Sequence, residues 1–164
     1  MYLLDANTYI EAKNRYYQIG FCPAYWQWLE QQFQLGMLGS VSTVYDELAR
    51  KGDELSDWVH NHRHHFHDIS AEEIQLQMAE VAQYVADLPN KDERSIANFL
   101  SGADPWLIAR ASIYGETIVT HESLVDNASK KVKIPNICAH FGVPHINTFE
   151  LLNSLEARFV LVEY

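Results

Sequence analysis

The chain has 164 residues, 48% of them hydrophobic, with 22 Asp and Glu against 12 Lys and Arg and a formal net charge of −10. That length and apolar content support one compact core, and two cysteines, Cys22 and Cys138, are too few for a disulfide framework. No apolar run approaches the roughly 20 residues that cross a bilayer, and the acidic balance withholds the broad positive field that most nucleic-acid binders use.

Tyr2-Leu3-Leu4 is a short apolar run that stops on Asp5, the pattern of a buried parallel strand. Asp5 then falls at the strand's C-terminal end, where open α/β sheets hold their ligands. A carboxylate in that place needs a partner or a cation to offset its desolvation. From Phe21 to Phe33, the residues Trp26, Leu29 and Phe33 recur at helical spacing, and we read them as core. The same segment, through Trp26 and Trp28, also suits a contact between two copies. A strand is expected over Leu38 to Ser42. Ser or Thr then caps a helix that carries Glu47 in an early turn, with Asp46 an equal candidate to face inward.

Five histidines, His60, His62, His64, His65 and His67, include an i, i+4 pair, but no Cys or closing His pair follows, so we assign the cluster no metal. A strand is expected near Phe66 to Ile69. Ser70 to Val85 opens on Ser-x-x-Glu and reads as an amphipathic helix with a capping box. Asn90 to Leu100 is a further helix. Pro105 at a first helical position makes Asp104 the N-cap of the next. The β-branched run Thr117 to Thr120, within Glu116 to Thr120, is a strand closed by Glu122. A strand at Pro144 to Ile146 and a helix from Thr148 to Phe159 finish the chain. The sum is one helix-rich α/β domain over residues 1–164 with a central, mostly parallel sheet.

Four acids, Asp5, Glu47, Asp104 and Glu122, therefore stand where such a chain would gather them. Their order, strand plus Asp, helix plus Glu, Asp plus helix, strand plus acid, resembles that of the PIN-domain family, small ribonucleases common as toxin halves of prokaryotic toxin–antitoxin pairs. In that family the first Asp is often followed two residues on by a small polar residue, here Asn7. A Glu-Leu pair lies on a helix, here Glu47-Leu48. A later Asp opens a helix that runs on through Ile-Ala-x-Ala, here Asp104 to Ala111. The fourth family position is usually the Asp of T-x-D, whereas Thr120-His121-Glu122 supplies a Glu, longer by one methylene, with Asp126 in reserve. Lys130 to Cys138 and Phe141 to Pro144 are similar to a PIN-like toxin subfamily. The resemblance implies a three-layer α/β/α sandwich, a bacterial cytoplasmic ribonuclease, a cognate antitoxin and a homodimer.

Hard oxygen ligands select Mg²⁺ or Mn²⁺ over softer metals. Asp5, Glu47, Asp104 and Glu122 are the expected metal ligands and catalytic groups for hydrolysing RNA to 5′-phosphate and 3′-hydroxyl ends. Asn7 and Thr120 would orient ligands and water. Arg110, Lys130 and Lys131 are the candidates to touch RNA, with Lys133 and Arg94 extending the patch. Two other readings stand beside this one. Asp5-Ala6-Asn7-Thr8 faintly matches a phosphoaspartate hydrolase, although Asn7 cannot serve as its general acid. A non-catalytic, acidic interaction domain would retain the carboxylates without using them.

Overall fold

A computed structural model describes residues 1–160; the last four positions of the expected domain lie outside the described residues. Five strands form one sheet in the order β3-β2-β1-β4-β5, and every pairing is parallel. They are β1 (Tyr2–Leu4), β2 (Leu38–Val41), β3 (Phe66–His67), β4 (Thr117–Val119) and β5 (His145–Ile146). Each falls inside the run that its sequence predicts. Leu3, Leu4, Val41, Ile118 and Val119 are fully buried, as expected of strands covered on both faces.

Helices are α1 (Ala6–Glu11), α2 (Pro23–Gln34), α3 (Ser42–Ala49), α4 (Glu54–Asn61), α5 (Glu72–Ala86), α6 (Glu93–Ser101), α7 (Asp104–Tyr114), α8 (Ile134–Phe141) and α9 (Thr148–Ser154). A π-helical turn, Ala12–Tyr16, prolongs α1. The chain is helix-rich and forms an α/β sandwich. The β1-to-β2 and β2-to-β3 connections run one way along the sheet, and β3-to-β4 and β4-to-β5 run the other. Right-handed crossovers therefore divide the helices between the two faces. Contacts of α3 with α1 and α4, and of α7 with α5, α6 and α8, follow that division.

Reversal of winding makes the gap between β1 and β4 the topological switch point, where open parallel sheets bind their ligands at the strands' C-terminal ends. Asp5 N–H donates to the Val119 carbonyl at 3.1 Å, so the two strand ends are tied at that point. Among the described residues, no helix is long and apolar enough to cross a membrane.

Several local expectations are corrected. No Ser or Thr side chain caps α3, whose N-cap is Val41. The Ser70 box does not form, because the Ser70 hydroxyl donates to Asp68 and α5 begins after Ala71. A capping box does form at α9, where Asn147 accepts from Phe149 and Glu150 N–H and Glu150 accepts from Asn147 N–H. The helix it opens ends at Ser154, short of Phe159. Trp26 and Trp28 are buried at 4% and 9% exposure, so they serve the core rather than a second copy.

Candidate functional site

Asp5 is the N-cap of α1 and is buried. The Thr8 backbone N–H and the Thr8 hydroxyl each lie 2.7 Å from Asp5 Oδ1. That hydroxyl is also 3.0 Å from the Val119 carbonyl, so one proton serves two acceptors. The other oxygen, Oδ2, is buried and has no well-formed hydrogen bond. Burial raises the Asp5 carboxyl above its ordinary range. The nearby Thr120 hydroxyl, then Thr8, pull it back, and the Glu122 charge adds a little to the rise. Thr120 acts here as a side-chain hydrogen-bond partner of the Asp5 carboxyl.

Asp104 is the first residue of α7 rather than its N-cap, which is Ala103, and Pro105 follows at the second position. Burial, then the charges of Asp5, Glu122 and Glu47, push its carboxyl up to about 8, against a smaller opposing pull from Lys133. All three other expected acids are thus near enough to bear on Asp104. Glu47 is the inward member of its pair; Asp46 is exposed. Glu47 Oε1 accepts from Ala103 N–H at 2.8 Å, just before Asp104. The approach depends on Gly102, where a Cβ would stand 3.3 Å from that oxygen.

Glu122 lies three residues beyond the end of β4, in a loop, and does not close the strand itself. Its Oε1 accepts from Lys133 Nζ at 2.6 Å, and its Oε2 accepts from Ile134 N–H at 2.8 Å. Glu122 therefore caps α8 from a distance, which supplies a partner that Lys133, the helix's own N-cap, does not. Thr120 is buried, its hydroxyl accepts from Glu122 N–H at 3.1 Å, and its side chain also acts on Asp5. Asn7 is exposed and lines an open cleft of 480 Å³ with Glu122 and Lys133. Asp126 is exposed in a turn, where it accepts from Ala128 N–H at 2.7 Å, and it does not join the group.

Arg110 is a correction. Its guanidinium pairs with Glu116 at 3.1 Å and lies over the Tyr114 ring, 4.8 Å from the centroid. Glu116 precedes β4, so this pair sits at the opposite end of the sheet from Asp5 and Thr120. Lys130 and Lys131 are exposed beside Lys91 at the start of α6. Arg94, Lys131 and Lys133 line a neighbouring cleft, so Lys133 links this basic strip to the acids. The histidines hold aromatic partners: His62 stacks on Trp58 at 4.2 Å and His65 on Phe33 at 3.9 Å. Thr8 and Lys133 do more at the site than their sequence context predicts, although the Asp-x-x-Thr spacing of a cap signals Thr8.

Oxygen donors at the site suit a hard cation in kind: Asp5 Oδ2 has no well-formed hydrogen bond, the Asp104 carboxyl has none among the described residues, and only one Glu47 oxygen is taken. As they stand, no three His, Cys, Asp or Glu side chains among the described residues are grouped to hold a metal ion. Cys138, on α8, is a buried thiol pushed up to about 12, chiefly by burial, then by Asp104, and it supplies no thiolate nucleophile.

A family model described as Domain of unknown function (DUF4411) matches residues 2–159. The chain belongs to the DUF4411 family. The match takes in all four acids and every strand of this DUF4411 sheet. No curated protein and no solved structure matches the chain.

Proposed function

We propose that this chain is a metal-dependent endoribonuclease of PIN-like type, which hydrolyses single-stranded RNA and acts as the toxin of a type II toxin–antitoxin pair. The observation that carries the reading is Asp5 Oδ2, a buried carboxylate oxygen without a well-formed hydrogen bond, at the switch point of a parallel sheet and within electrostatic reach of Asp104 and Glu122. Burying such a group bare costs several kcal/mol, and a hard cation is the ligand that offsets it. Asp5 and Asp104 would hold Mg²⁺ or Mn²⁺, with Glu47 and Glu122 adding negative charge to the site. When bound, the ion supplies an activated water for attack on the phosphodiester and neutralises the leaving oxygen.

The chain's own residues prepare that site. Thr8 fixes Asp5 through two contacts, which leaves Oδ2 turned to the ligand. Ala103 N–H fixes Glu47 beside Asp104. Asp104 carries a proton near neutral pH and must release it to bind a cation. Lys91, Arg94, Lys130, Lys131 and Lys133 gather along the start of α6 and the segment before α8, where they outnumber Asp92 and Glu93 in the same clefts and give a phosphate backbone a local path. The acidic remainder suits a basic antitoxin.

Incubation of the purified protein with end-labelled single-stranded RNA in Mn²⁺ or Mg²⁺ tests the proposal, with EDTA and Asp5→Asn as controls. The expected result is metal-dependent cutting, with 5′-phosphate and 3′-hydroxyl ends, that the variant lacks. Equal cutting by the variant would overturn the assignment, and no cutting of several RNAs would favour a non-catalytic interaction domain.

A further inference from the structure

Beside the acids the surface carries an aromatic cluster that metal binding does not explain. Tyr16, the last residue of the π-helical turn, stacks on His121 with ring centroids 5.9 Å apart and planes at 26°. Phe149 meets Tyr16 edge-on at 5.3 Å. Both rings keep much of their area in solvent, at 40% for Tyr16 and 45% for Phe149. His121 is held by a 2.9 Å contact between its Nε2 and the Thr148 hydroxyl, which fixes one ring of the cluster.

The placement matters more than the exposure. His121, Glu122 and Ser123 line two open clefts, one of 480 Å³ that includes Tyr16, Arg15 and Lys133, and one of 430 Å³ that includes Phe149. The aromatic ridge thus separates two polar clefts, and Glu122 belongs to both. A protein partner would call for a contiguous apolar patch; here the two rings and Leu124 stand among charged and hydroxyl groups. Flat, half-exposed rings match an unpaired base, and the cations at one side, Arg15 and Lys133, are paired with Glu11 and Glu122, so stacking rather than charge carries the match. The π turn supports this reading: widening the helix by one residue per turn is what carries Tyr16 out of line with α1, and such turns recur at functional sites.

We propose that Tyr16, His121 and Phe149 form a base-stacking subsite that seats one unpaired nucleotide of single-stranded RNA next to the carboxylate cleft. This deepens the nuclease reading and rests on it for the nature of the substrate. Seating a flipped-out or unpaired base here places the adjoining phosphate toward Lys133 and the acids, and it excludes duplex, whose bases stay stacked on one another. Specificity for a strand without pairing follows from shape and stacking rather than from hydrogen bonds to base edges.

Binding measured in EDTA separates the subsite from the chemistry. Fluorescence anisotropy would compare a labelled single-stranded RNA decamer, its duplex, and a decamer of the same ribose-phosphate backbone without bases, on wild-type, Tyr16→Ala, Tyr16→Phe and Phe149→Ala proteins. The decamer should bind tightest. Tyr16→Ala and Phe149→Ala should each weaken it on the order of tenfold, with Tyr16→Phe close to wild type. The baseless decamer should bind alike to all four. Thermal melts of the variants check folding, which exposed positions leave intact. Equal decamer affinity in both alanine variants, or equal binding of baseless and normal strands by the wild type, would overturn the subsite. Failure of cleavage with this binding pattern intact would count against the nuclease reading alone.

Discussion

Lys133 Nζ lies 2.6 Å from Glu122 Oε1, while the N–H of the very next residue, Ile134, reaches Glu122 Oε2 at 2.8 Å. One glutamate thus binds a side chain and a helix end together, which gives it a structural task separate from any ligand. Glu122→Ala should lower stability by about 1–3 kcal/mol, the usual worth of hydrogen bonds to a charged group. Glu122→Gln, which keeps one acceptor for Ile134 N–H, should lose less. Melting curves check the ranking. Cleavage should fall less for Glu122→Gln than for Asp5→Asn, because both Glu122 oxygens already have well-formed hydrogen bonds and Asp5 Oδ2 does not.

Asp5→Asn should fold at least as well as the wild type in EDTA. Asn is as good an N-cap as Asp, its oxygen can still accept from Thr8 N–H, and the change removes one charge from a crowded acidic group. Thr8→Val should instead cost about 1–2 kcal/mol, since it strips the hydroxyl from both Asp5 and the Val119 carbonyl. A pair of denaturant titrations distinguishes the two outcomes.

Arg110→Ala should destabilise by about 3 kcal/mol or more, because it strands Glu116 in a buried place, yet leave cleavage per folded molecule unchanged. Activity normalised to the folded fraction is the measurement. Lost activity in fully folded Arg110→Ala protein would return the residue to the RNA path.

Half-buried Asp104 and buried His65 set opposite pH limits. Asp104 is raised from 3.8 to about 8, so its folded form holds a proton that the unfolded chain has lost. The stability this brings is complete below about 4 and is lost as pH rises through 8. His65 is lowered from 6.5 to about 3, first by burial, then by His64 and His62. The unfolded chain therefore binds a proton that folded His65 refuses, and stability falls as pH drops from 6.5 toward 3. Melting temperatures in EDTA across this range should show both limbs. Asp104→Asn should flatten the alkaline limb, His65→Phe the acid one, and Mn²⁺ should raise the alkaline limb by binding the deprotonated site.

Strands β1 and β4 were legible because they are short apolar or β-branched runs, and burial on both faces leaves them little else to be. Asp5 was legible for the same reason: it ends such a run. Helices α4 and α8 were not, since His60 to His67 disguised the first and Pro135 the second, although Pro at an early helical position is permitted. The Ser70 box failed because Asp68 competes for the hydroxyl, a local contest that spacing does not reveal. Choosing Glu47 over Asp46 required the register of α3 against Gly102 and Ala103. Arg110 suits an ion pair with a neighbouring acid as well as a phosphate, and the pair forms because α7 carries Asp104 at one end and Arg110 near the other, at opposite ends of the sheet's strands.

The central claim is that Asp5 and Asp104 hold a divalent cation at the β1–β4 switch point. Calorimetric titration of Mn²⁺ into the wild-type, Asp5→Asn and Asp104→Asn proteins at pH 8 addresses it directly. Saturable binding by the wild type, with affinity in each variant reduced at least tenfold, is the predicted result. Wild-type protein that takes up no Mn²⁺, or variants that bind it as tightly, would contradict the account.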